Sequence, residues 1–187
     1  MNVKVWKLDA IEEKYDCLIP VNDISIEELK TYDGRSHEGE WIGRKVVPNV
    51  DENKNVKLGD YTDCWFIPVF SEKAIKELYD LIKKDAEIIH LECDYGDFSL
   101  INVTAVLEAF DCKNSKFDMF KGSDRIMYVE KYAFFSEIVK GHNIFKTTAE
   151  NLGPVFVSDE FVQTVKRSKL KGFRFELAWD SEAPTTI

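Results

Sequence analysis

The sequence predicts an α+β fold: a mixed or largely antiparallel sheet, a few short-to-medium helices and an irregular N-terminal cover. Three observations predict it. Short apolar runs of strand length are interspersed with amphipathic helical runs, without the strict alternation of a parallel α/β protein. The stretch from Pro154 to Glu182 reads as a strand, a capped helix and a second strand. The same strand-to-helix join starts again at Pro68-Val69-Phe70-Ser71-Glu72.

Each element follows from local chemistry. Val155, Phe156 and Val157 make an apolar run typical of a buried strand. Ser158 stands at an N-cap, with Asp159 and Glu160 at the positive end of the helix dipole. Phe161, Val162 and Val165 form the apolar stripe, and Lys166, Arg167 and Lys169 meet the negative end. Gly172 restarts the chain as a strand with Phe173, Phe175, Leu177 and Trp179 on one face. Arg174, Glu176 and Asp180 take the other face.

Earlier in the chain, residues 3–8 read as a strand with Val3 and Val5 on one face. Residues 9–63 are polar, broken by Gly34, Gly39, Gly43 and the run at 51–55, yet carry Tyr32, Trp41 and Tyr61. They read as an irregular cover packed on a core. From Cys64, the apolar run WFIPVF leads to Ser71. A helix follows, with Ala74, Ile75, Leu78, Leu81 and Ile82 inward and Lys83 and Lys84 closing it. Its likeness to the 154–159 join reads as two solutions to one structural problem rather than a repeat architecture. Residues 86–93 and 98–103 form a hairpin about a turn at Asp94 to Asp97. Thr104 caps a short helix AVLEAFD, and CKNSKFD is a polar loop. Residues 125–135 are strand-like, SEIVKG is one helical turn ended by Gly141, and 144–146 is a short strand. The tail after Trp179 frays. Without a Pro/Ser/Gly linker, 1–63 is expected to pack on an α+β core of 64–187 in one continuous globular unit.

Composition bounds function. Of 187 residues, 44% are hydrophobic and 32% charged, and 13 Phe, 7 Tyr and 4 Trp suffice for a core without metal or disulfide staples. With 34 acidic against 25 basic residues the net charge is −9, which opposes phosphate-backbone binding and permits steering toward a basic partner. Cys17, Cys64, Cys93 and Cys112 are scattered, with no basic-then-apolar leader ahead of them, so reduced and mostly buried thiols in a cytoplasm are expected. No stretch is apolar enough to span a membrane. The sequon at Asn102 therefore carries no glycan argument.

The chemical motifs fail one by one. Gly34 to Gly39 has the glycine spacing of a phosphate loop, but Glu40 stands where a lysine is required. Asp51 to Asn55 begins like a calcium loop, with Val56 in place of the glycine and Thr62 in place of the bidentate glutamate. His90, Glu92 and Asp94 alternate on a predicted strand, with the His-x-Glu start of a zinc deaminase but no Pro-Cys-x-x-Cys to complete it. Their alternative reading is a small metal-assisted hydrolase; the simpler one is the polar face of a half-buried strand. Only His37 and His142 remain as histidines, and no nucleophile–base pair is nominated. Ser71 and Ser158 are better helix caps than nucleophiles, while Asp111 and Ser115 suit local backbone hydrogen bonding. No catalytic, cofactor or metal residue is assigned.

Several stretches together resemble one family: FSEKA at 70–74, LINVTAVLEAFD at 100–111 with Ser115, IFKT at 144–147, VFVSDEF at 155–161 and GFRFELAWDSE at 172–182. This order and spacing resembles immunity-protein family eleven of bacterial polymorphic-toxin systems, from about residue 64 to 182. The resemblance implies a cytoplasmic, nonenzymatic protein that binds and neutralises a cognate toxin. It carries over no catalytic residues, and Asn102, Asp111, Ser158 and Gly172 are expected to be structural. A regulatory binding module of the same fold is the other nonenzymatic reading. An acidic surface would meet a basic toxin face, with the 33–63 region and the turn Glu92 to Asp97 as candidate surfaces.

Overall fold

The computed structural model describes residues 2–37, 41, 44–50, 55–150 and 153–183. The N-terminal part gives β1 (Lys4–Ala10), β2 (Leu18–Pro20), α1 (Ile26–Leu29) and β3 (Val46–Pro48). The middle gives β4 (Tyr61–Cys64), β5 (Ile67–Ser71), α2 (Glu72–Ile82), β6 (Ala86–Leu91), β7 (Phe98–Val103) and β8 (Val106–Leu107). The remainder gives β9 (Lys116–Met119), β10 (Ile126–Lys131), α3 (Ser136–Val139), β11 (Ile144–Thr147), β12 (Phe156–Ser158), α4 (Asp159–Arg167) and β13 (Phe173–Asp180). Two main sheets form, ordered β13-β1-β12-β11-β8 and β4-β5-β7-β6, beside the ribbons β9–β10 and β2–β3. Every pairing between these strands is antiparallel except β8 with β11. The chain is α+β, as its element pattern predicts.

The two strand-to-helix joins build the same unit. β5 runs through α2 to β6, and β7 lies between the two strands, antiparallel to both. β12 runs through α4 to β13, and β1 occupies the corresponding gap. The caps match in detail. Ser71 accepts from the Ala74 amide and donates to Asp60; Ser158 accepts from the Phe161 amide and donates to Asn143.

Alternation along the strands divides the interior into three clusters. Both helices share the first with one face of each sheet, where Phe70, Leu78, Ile82, Ile101, Val157 and Phe161 meet. Val69, Ile89 and Leu100, on the opposite face of the four-stranded sheet, lie under the N-terminal cover with Leu18, Tyr32 and Trp41. Tyr32 stacks on His37 at 4.3 Å, and its carbonyl accepts 3.0 Å from the buried Lys146 Nζ. Burial pulls the Lys146 ammonium below its ordinary range. The third cluster covers part of the outer face of the five-stranded sheet, where Val5, Phe145 and Phe156 pack under Phe134 and Ala109.

Several local expectations are corrected. Thr104 caps no helix: the Thr104 and Ala105 amides both donate to the Asp85 carbonyl, and Lys146 draws the Ala105 carbonyl into the edge of the sheet, so 106–107 pair as β8. The last three residues of the expected polar loop CKNSKFD, Lys116 to Asp118, belong to strand β9, held by β10. The stripe on β13 breaks at a bulge. Trp6 faces Leu177 while Val5 faces Trp179, so the extra residue turns Trp179 to the third cluster and leaves Leu177 exposed. Ser181 is tied to Val3 rather than fraying, its amide donating to the Val3 carbonyl and its hydroxyl accepting from the Val3 amide, and 184–187 lie outside the described residues. All four cysteines are free, but only Cys64 is buried; its thiol is pushed up by burial, away from the thiolate a nucleophile requires. No helix among the described residues is long and apolar enough to cross a membrane.

Candidate functional site

The third cluster covers the outer face of the five-stranded sheet only in part. Beyond Val5 the same face carries Lys7 and Asp9 on β1, opposite Glu176 and Arg174 on β13. Polar residues occupy these alternate positions because no apolar layer lies over them. A groove of about 710 Å³ remains there, walled by β10 on one side and by the β4–β5 hairpin on another. Glu150 and the Gly153 to Val155 turn close the rim. Five carboxylates line it, Asp9, Asp63, Glu130, Glu150 and Glu176, against the two lysines Lys7 and Lys131.

The hairpin tip is Trp65-Phe66, the first two residues of the run WFIPVF. Cys64 pairs with Ile67, leaving these two aromatics as the whole loop. Their φ angles, 55° and 72°, are both positive, the pattern of a type I′ turn that matches strand twist and favours Asn-Gly. A non-glycine residue in this region costs roughly 1–2 kcal/mol. Phe66 is 92% exposed, so it recovers little of that by packing. Met127, Tyr128 and Leu177, also exposed, line the same groove as Phe66.

Two of the groove carboxyls, Asp63 and Glu150, hold their protons more tightly than usual. Burial, then the neighbouring charges of Glu12 and Asp9, raise Asp63 above the ordinary carboxylate range. Burial raises Glu150 too, partly offset by a hydrogen bond from Tyr132 and by Lys7. A carboxyl whose folded pKa exceeds its unfolded value binds its proton more tightly when folded, so ionisation costs stability above the folded value. Asp63→Asn should therefore raise stability at pH 7, by about 0.5 kcal/mol. The gain should vanish as the pH falls below the unfolded aspartate value of about 3.9. Urea midpoints of both proteins across pH 3–7 check this, and a gain that persists at pH 3 contradicts it.

The residues singled out from the sequence lie elsewhere. His90 is exposed on β6 opposite Ser99, Glu92 is exposed beside β3, and Asp94 lies in the following turn. Among the described residues no three His, Cys, Asp or Glu side chains are grouped to hold a metal, so the hydrolase geometry is not assembled. His37 is stacked in the cover, and His142 Nδ1 lies 2.8 Å from the buried Asp85. Asp111 accepts from the Lys113 and Asn114 amides, a local turn as expected; Ser115 instead bonds Ala133, eighteen positions on. Asn102 is buried, its amide donating to the Arg35 carbonyl and to Glu87, which ties the cover to β7. Of the suggested surfaces, the 33–63 region buries Trp41 and Tyr61, and the calcium-like run at 51–54 lies outside the described residues. The Glu92 to Asp97 turn is exposed, with Tyr95 at its tip. Sequence reasoning missed the groove altogether. The one available signal was an aromatic pair in a two-residue gap between Cys64 and Ile67.

Among curated proteins no match is found. A family model does match, over a narrower span than the 64–182 of the motif resemblance. It takes in LINVTAVLEAFD, IFKT, VFVSDEF and all of β13, and leaves out FSEKA and the Trp65-Phe66 tip. That family is Immunity protein family (Imm11), matched over residues 93–180.

Proposed function

We propose that this chain is the immunity partner of a bacterial polymorphic toxin, and that it binds and neutralises its cognate toxin in the cytoplasm through a protein–protein interface. The family match over residues 93–180 carries this reading. The exposed aromatic and acidic groove, unlike anything at His90, is a feature such a binder would use. Neutralisation by docking needs a preformed surface with apolar anchors and complementary charge, and no bond-making step.

Co-expression tests it. A toxin encoded beside this chain should stop growth when expressed alone, and the chain should restore plating by at least about a thousandfold, as expected of a nanomolar inhibitor in excess. Rescue without a stable complex between the purified proteins would point to a regulatory module instead. Failure to rescue would remove the immunity reading.

A further inference from the structure

We propose that the Trp65-Phe66 tip and the carboxylate-lined groove beside it seat a lysine- or arginine-bearing segment of the toxin, with Phe66 as the apolar anchor. The inference rests on the immunity reading and names the surface and the chemistry of its partner.

Three features converge on this place and on no other described part of the molecule. Phe66 on the β4–β5 hairpin and Met127 and Tyr128 on β10 are exposed large apolar residues distant in sequence, yet they line one groove. Aromatic anchors beside a concave site are the composition of interface hot spots. The turn that presents Phe66 forces two bulky residues into positive φ, where Asn-Gly would relax the backbone, so stability does not account for the aromatic pair. Carboxyl groups outnumber lysines five to two in the groove, and an incoming cation favours their charged forms, which selects the occupant. Phosphate backbones would be repelled, and a second copy of a chain with net charge −9 would bring like charge to like. A cationic protein segment meets neither objection.

The test uses the toxin identified by growth rescue, purified in an inactivated form, with titration calorimetry and stopped-flow association against the full-length chain. Trp65→Asn/Phe66→Gly should keep or raise the melting temperature, because it relaxes the turn, and should weaken binding at least about thirtyfold. Glu176→Lys should slow association about tenfold at low salt and much less at high salt. Tyr95→Ala, on the exposed β6–β7 turn, should bind like the unaltered chain. A folded Trp65→Asn/Phe66→Gly protein that binds with full affinity overturns the proposal and leaves the immunity reading intact. So does a loss confined to Tyr95→Ala. If the unaltered chain neither binds nor rescues, the immunity reading falls and this inference with it.

Discussion

Gly172→Ala is expected to destabilise the protein by about 3–5 kcal/mol, the range of severe single-site defects. Two independent costs add. Gly172 has φ +94°, a conformation that L side chains rarely adopt. A Cβ built there would stand 2.2 Å from the Tyr61 carbonyl oxygen, which is backbone and cannot rotate aside. The neighbouring hydrogen bond from the Tyr61 amide to the Lys171 carbonyl holds the two segments at this distance. Relaxation must therefore separate β4 from the start of β13, uncovering the contact of Tyr61 with Phe173 at 5.0 Å. For a chain of this size the melting temperature should fall by about 10 °C or more. A drop under about 2 °C in a calorimetric scan would mean that the join between the sheets is looser than described.

Phe70→Ala is expected to cost a similar amount, about 3–5 kcal/mol, by a different route. Phe70 is fully buried on β5, and its ring lies 5.5 Å from Phe173, 5.7 Å from Tyr61 and 6.2 Å from Phe161. Phe173 belongs to the other sheet and Phe161 to α4, so truncation leaves a void where both sheets and a helix meet. Such a void keeps its cost because three rigid elements cannot collapse into it together. Phe70→Leu, which refills most of the volume, should recover more than half of the loss. Denaturant unfolding monitored by tryptophan emission and by far-UV circular dichroism reads both. The two signals should move together, because the damaged contact belongs to both sheets. Separate transitions would show the sheets to be independent.

Much of the architecture was legible because it is locally encoded. Ser71 and Ser158 precede acidic first turns and apolar stripes, so both helices announce themselves, and each side chain accepts the amide three residues on. The β6–β7 hairpin is equally local. What could not be read depends on partners distant in sequence. Val106 and Leu107 become a strand because β11, some forty residues later, takes them as an edge. Trp179 changes sides because the partner strand β1 skips Ala178. Trp65 and Phe66 carry strand propensity, yet the close pairing of Cys64 with Ile67 gives them no sheet to enter. The groove was invisible for the same reason: β1, β4, β10 and β13 meet there from all quarters of the chain.

The place of β1 in its sheet also governs when the protein can come into being. Lys4 to Ala10 is made before every other strand of its sheet, yet its hydrogen-bonding neighbours β12 and β13 begin only at Phe156 and Phe173. At translation rates of about 5–20 residues per second, the opening strand waits on the order of ten to thirty seconds for either edge to be taken. Helix α2 and its hairpin can form during that interval, whereas the larger sheet must close across nearly the whole polypeptide, a slow, non-local step. The five-stranded sheet thus cannot be complete until Phe173 and the rest of β13 have emerged to pair with β1.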